Sequence, residues 1–284
     1  PQPLGPQVME PVPFQAAHPY DYYERLVYEN MTFRDVTIPA GENALFRNCT
    51  FIGVTFIETE TENEDEDYNY AGMQESDGSQ KHPDTTAFIP GEGEVDDTKP
   101  YSNNIRFHGC TFEGAVVSDS PKAYTHVRNK LSFTGRIRFN IDESSNLTSA
   151  EKDLYKRSTI LVPHYSVELG TFVSPYNNDE TVVLSGTIVA GVLDMRGNVR
   201  VNGTILTTFN PKSDEAPVEG PTSPLFNTTL GYFGADSGDM EAEIPESGRG
   251  IIELRYDPRL PVPDGILGPI QIEPNWRTYT EGGA

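Results

Sequence analysis

The stretch Phe46-Arg-Asn-Cys-Thr-Phe-Ile-Gly53 is nearly repeated as Phe107-His-Gly-Cys-Thr-Phe-Glu-Gly114. Five of the eight positions match, including the rare Cys, and Phe33-Arg-Asp-Val-Thr-Ile38 is a weaker copy with Val in place of Cys. Working outward, three more segments align without gaps: Val167–Val173, Val183–Val189 and Arg200–Leu206. Their glycines, Gly170, Gly186 and Gly203, are spaced 16 and 17 residues apart, and Gly135 precedes Gly170 by 35, about two such periods. Gly135, Gly186 and Gly203 follow Thr134, Ser185 and Asn202, and the glycines lead into β-branched and apolar residues, which reads as a turn and then a strand. Glycines are therefore expected at corners, where positive φ is often required.

A period near 17 residues is too short for a helix–turn–helix repeat or a propeller blade and suits a coil of short strands joined by tight turns. The fold class expected is all-β, a right-handed parallel β-helix (solenoid) with long acidic loop insertions; the hand follows from the crossover rule. In such a coil equivalent positions of successive rungs stack about 4.8 Å apart, so Phe46 should lie over Phe107, Cys49 over Cys110 and Phe51 over Phe112. A β-sandwich would also use the Val, Ile and Thr runs, but it leaves the period unexplained.

The net charge is −22, and its location matters more than its size. Residues 58–100 carry 14 Asp/Glu and 2 Lys/Arg, and residues 207–250 carry 8 and 2, so these two segments hold −18 of the total. The acidity belongs to loops, either as a self-repelling solvated surface or as calcium ligands. The calcium candidates are Glu64, Asp65 and Asp67, although no Asp-x-Asp-x-Asp-Gly pattern accompanies them. So acidic a chain is a poor partner for nucleic acid or an anionic membrane. No apolar run approaches the roughly 18 residues of a membrane span. Pro1–Pro13 lacks the features of a secretory signal, so any leader is expected to have been removed or to precede this chain.

The layout expected is residues 1–30 as an N-terminal extension or cap, 31–206 as the solenoid with the insertion 58–100, 207–250 as an acidic Pro/Gly-rich loop, and 251–284 as a C-terminal strand, cap and tail. Tyr20–Tyr28 and Ile251–Trp276 are the segments expected to cap the ends, because an open rung exposes backbone groups and apolar side chains. One helix is expected, over Thr148–Arg157.

Few residues point to chemistry. Cys49 and Cys110, as rung neighbours, are read either as stacked buried thiols or as a disulfide; no further Cys or clustered His completes a metal site. The five His are scattered, with His108 expected to face solvent. Phosphate loops, nucleophile elbows and His-Glu-x-x-His are absent from the sequence. Because β-helices host polysaccharide lyases and hydrolases, an enzyme would need carboxylates, or a basic residue with calcium, converging on one face, and the candidate members are Asp142, Glu143, Asp179, Glu180, Asp194, Arg136, Arg138 and Arg196. Asp194 and Arg196 alternate along a strand and would point to one side. Sequons occur at Asn30, Asn48, Asn146, Asn202 and Asn227.

The two Cys motifs are similar to the Asn-Cys-Thr-Phe rungs of right-handed parallel β-helix proteins. The order of Cys rungs, Leu184–Gly191, Arg196–Ile205, Leu260–Ile270 and Tyr279–Gly282 resembles the ectodomains of bacterial prepilin-like, pilus-associated surface proteins. That resemblance implies export, display at the envelope and association with a pilus-like assembly, and it carries no catalytic residues. The expectation is a non-enzymatic cell-surface or filament component, extracellular, self-associating or bound to other surface proteins. The alternatives are a carbohydrate-binding adhesin using Tyr68, Tyr70, Tyr101 and Trp276, and a polysaccharide lyase or hydrolase.

Overall fold

β-Branched and aromatic residues alternate with polar ones through most of the chain, and each such run extends and buries one side. The structure, a computed structural model, describes residues 2–5, 8–13, 22–59, 86–89, 93–96, 103–119, 129–170, 181–195, 197–208, 228–230 and 251–256. The early strands are β1 (Gln2–Pro3), β2 (Val8–Pro13), β3 (Tyr22–Glu29), β4 (Thr32–Ile38), β5 (Leu45–Arg47) and β6 (Thr50–Ile57). After them come β7 (Thr86–Ile89), β8 (Gly93–Asp96), β9 (Asn104–His108), β10 (Thr111–Ser118), β11 (Lys130–Thr134) and β12 (Arg138–Phe139). Helix α1 (Ser149–Arg157) precedes β13 (Ile160–Leu169), β14 (Val182–Met195), β15 (Val199–Thr207), β16 (Thr228–Leu230) and β17 (Ile252–Arg255). Among the described residues the protein is all-β apart from this one short helix.

Nearly all pairings are parallel and join strands far apart in sequence. One wall runs β1, β4, β6, β10, then β12 and the start of β13 side by side, the first part of β14, β15 and β17. The other runs β2, β3, β5, β9, β11, then the ends of β13 and β14, and β16. Only β2 on β3 is antiparallel within this sheet. β10 pairs both β12 and β13, and both pair β14, so these four strands close a parallel ring. The expected registers are present: Phe46 lies opposite Phe107 and Phe51 opposite Phe112.

Two aromatic columns fill the space between the walls. Phe33, Phe51, Phe112 and Phe139 stack at 5.2, 5.0 and 4.6 Å, and Tyr28, Phe46, Phe107 and Phe133 at 4.9, 5.3 and 5.2 Å. The columns meet edge to face, as between Phe51 and Phe107 at 5.4 Å. Both orientations suit the ring quadrupoles. Leu131, Val167, Leu184, Ile188, Leu193 and Val201 extend the core beyond the aromatic region.

Two expectations about the glycines need correction. Gly186 and Gly203 are not corners: they face each other inside β14 and β15, and a Cβ on Gly203 would fall 1.8 Å from the Gly186 carbonyl oxygen. Gly170 does follow a strand, with its N–H bonded to Phe133 O, so its sequence alignment with Gly186 is not a structural register. Strand β3 pairs parallel with β5 and antiparallel with β2, and β1 lies beside β4, with Leu4 packed on the core. The helix begins after its N-cap Thr148, as its capping sequence requires.

Candidate functional site

The turns between strands are built from two kinds of residue. Asn30, Asn48, Gly109 and Gly135 hold positive φ of 54, 52, 66 and 70° and lie over one another, with N–H groups bonding to Arg47 O, His108 O and Thr134 O in turn. Asn tolerates this conformation better than other side-chain-bearing residues. At another corner a polar ladder forms: Asn104 N–H donates to Asn43 Oδ1 at 2.8 Å, and Asn103 N–H to Asn129 Oδ1 at 2.7 Å. Arg25, fully buried, donates to Ala44 O, Asn104 O and Asn104 Oδ1. The sequence reading missed this ladder, although Asn three or four residues before each inward Phe (Asn43, Asn104, Asn129) was its signal.

Cys49 and Cys110 immediately precede the paired parallel strands β6 and β10, with Thr111 N–H bonded to Cys49 O. Both are free and buried. Each Sγ reaches back along the stack, to Tyr28 O at 3.3 Å and Phe46 O at 3.4 Å. Burial pushes the Cys110 thiol well above its ordinary pKa, which suppresses the nucleophilic thiolate. His108 points away from the core but is half-buried, its Nδ1 3.0 Å from Thr134 Oγ1.

Of the residues considered for catalysis, the described ones do not share one surface. Asp142 pairs with Lys156 at 2.9 Å and, together with exposed Glu143, sits in the excursion that carries α1. Arg138, on the first wall, donates to Ile137 O at 2.7 Å and Thr181 O at 2.5 Å. Burial lowers its pKa, helped by the charges of Arg136 and Arg200. Asp194 is on the other wall, opposite Glu168, whose carboxylate is buried and accepts from Ser132 Oγ at 3.0 Å. That Glu168–Asp194 adjacency was not anticipated. Asp179, Glu180, Arg196, the calcium candidates Glu64, Asp65 and Asp67, and the aromatics Tyr68, Tyr70, Tyr101 and Trp276 lie outside the described residues. Among the described residues no group of three His, Cys, Asp or Glu could hold a metal, and no helix is long and apolar enough to cross a membrane.

The ends of the stack differ. At the start, β1 and β2 lie on β4 and β3. At the finish, β17 pairs only with β15 among the described strands. Leu254 lies opposite core Val201, yet it is 45% exposed where Val201 is 1%. Ile251 and Tyr256 beside it are 71% and 74% exposed. On the outer side Glu253 bridges Arg200, at 2.6 Å, and Arg255. The chain matches no family model, no curated protein and no solved structure.

Proposed function

We propose that the chain is a right-handed parallel β-helix that serves as a non-enzymatic structural component of an extracytoplasmic surface or filament, assembling through its stack ends and terminal segments. The observation that carries this reading is the end at β17, where Leu254, in register with core Val201, is 45% exposed and no described strand lies on the side away from β15. Such an edge is a template for further pairing. The continuous aromatic columns support the reading as well, because they make a stiff scaffold whose ends are its natural contact points. Right-handedness is favoured by the crossover rule for parallel strands. Extracytoplasmic display rests on the resemblance of the Cys rungs and of the later Gly-Thr-Ile segments to envelope β-helix proteins.

Electron microscopy and light scattering across a concentration series test the reading. Oligomers or filaments that grow with concentration are expected. A chain that stays strictly monomeric at high concentration, with and without calcium, would sink it, and a left-handed coil in an experimental density map would overturn the proposed hand.

A further inference from the structure

Strand β17 and its flanking residues read Ile251-Ile-Glu-Leu-Arg-Tyr256, and three observations about this segment converge. The first is the exposure of Ile251, Leu254 and Tyr256, although Leu254 is in register with the core. The second is backbone parity. Ile251 O accepts from Val199 N–H, so the odd-numbered residues of the strand direct their polar groups toward β15. Ile252, Leu254 and Tyr256 therefore direct theirs away from β15, to a side that no described strand occupies. The third is the order of charges, with Glu253 and Arg255 placed symmetrically about Leu254.

From these we infer that β17 is a two-fold dimerisation edge that takes the β17 of a second copy of this chain, antiparallel, with Leu254 opposite itself. The inference rests on the reading of the stack ends as assembly surfaces and names the partner at one of them. In this register Glu253 of each copy faces Arg255 of the other, and Ile252 faces Tyr256. Residues 252, 254 and 256 all fall at hydrogen-bonded positions, which the parity requires. Opposite charges directly across an antiparallel pair stabilise it, and like charges there oppose it. A self-complementary patch of this kind is what a two-fold contact demands. Each copy covers the other's open core position, since Leu254 meets Leu254 above Val201. The other end is a poorer edge: Pro3, Pro11 and Pro13 in β1 and β2 have no N–H to offer a further strand.

The test uses the full chain and sedimentation equilibrium, with circular dichroism to confirm that each variant is folded. Wild type is expected to dimerise reversibly. Leu254→Lys, Glu253→Arg and Arg255→Glu should each weaken the dimer by about tenfold or more in Kd. Combining Glu253→Arg with Arg255→Glu recreates the crossed pair with its signs reversed and should recover most of the affinity. Leu254→Cys should give a covalent dimer with oxidised glutathione, because Cα atoms about 5.5 Å apart at a hydrogen-bonded antiparallel pair suit a disulfide. Oligomers that persist unchanged in Leu254→Lys would overturn the two-fold edge and leave assembly through another surface standing. A double swap no better than the single variants would overturn the register. A monomeric wild type, including one whose Leu254→Cys thiol is shielded by the chain's own residues 257–284, would overturn the dimer.

Discussion

At the residue scale, one letter serves two different physical needs. Gly109 and Gly135 supply positive φ at corners that Asn30 and Asn48 fill elsewhere. Gly114 is needed because nothing larger fits, and Gly203 on that ground as well as for its φ of 156°: a Cβ on either would sit 1.8 Å from the carbonyl oxygen of the Gly on the neighbouring strand. The 17-residue spacing of Gly186 and Gly203 made their register legible, but not their role, since spacing reports position and not what lies beneath. The same corner geometry explains two sequons. Asn30-Met-Thr32 and Asn48-Cys-Thr50 combine a left-handed Asn with a strand-initiating Thr, so the fold alone accounts for the pattern. The structural roles predict a graded series. Gly114→Ala and Gly203→Ala should each cost at least about 3 kcal/mol, because backbone must move. Gly109→Ala meets only the end of the Asn48 side chain, at 2.5 Å, and should cost about 1–2 kcal/mol from its positive φ. Gly5→Ala, with nothing within 4 Å, should be near neutral, within about 0.5 kcal/mol. Urea unfolding of the four variants gives the order, and equal losses at Gly109 and Gly114 would refute it.

At the scale of elements, α1 is the part whose local signals were most complete. Thr148 Oγ1 accepts from Glu151 N–H, and Glu151 Oε2 accepts from Thr148 N–H at 2.7 Å, closing a capping box that the sequence Thr-Ser-Ala-Glu spells out. Where the helix docks was not readable. Tyr155 packs with Ala115 and Ile141 on the outside of the first wall, and Glu113 holds the excursion by accepting from Ser144 Oγ and Asn146 Nδ2. Such contacts depend on which strand lies beneath, which no local pattern records. The bonds from the Thr148 hydroxyl and backbone hold the Glu151 carboxyl below its ordinary pKa. Stabilisation from this linkage is therefore present above the ordinary carboxylate value and lost as pH falls through the lower folded value. Thr148→Ala should lower stability by about 1 kcal/mol near neutral pH, with the difference from wild type shrinking on acidification. Thermal unfolding at several pH values checks this; a difference that widens in acid would contradict the assigned cap.

For the whole molecule, several registers were legible because paired parallel strands place equivalent side chains opposite one another. An excursion hides them wherever it interrupts the count. Phe33 to Phe51 spans 18 residues, but Phe51 to Phe112 spans 61 for the same single step between rungs. Within that longer step, among the described strands, β7 and β8 pair with each other in a two-stranded sheet apart from the walls. The connection performing the same job one rung earlier, from Ile38 at the end of β4 to Leu45 at the start of β5, takes six residues. The two ends of the excursion are fixed by the stack itself, since Thr59 N–H bonds to Asp119 Oδ1 and Asn103 N–H to Asn129 Oδ1. Replacing residues 60–102 by a turn of about six residues should therefore leave the fold intact, because closing a shorter loop costs the unfolded chain less entropy. It also removes 13 acidic and 2 basic residues, relieving self-repulsion. Tm should stay within about 5 °C of the parent or rise, and its increase with added salt should be smaller than in the parent. Both are read from thermal unfolding at low and high ionic strength. A shortened chain that fails to fold would show that the acidic excursion is part of the core's support and not a projection from it.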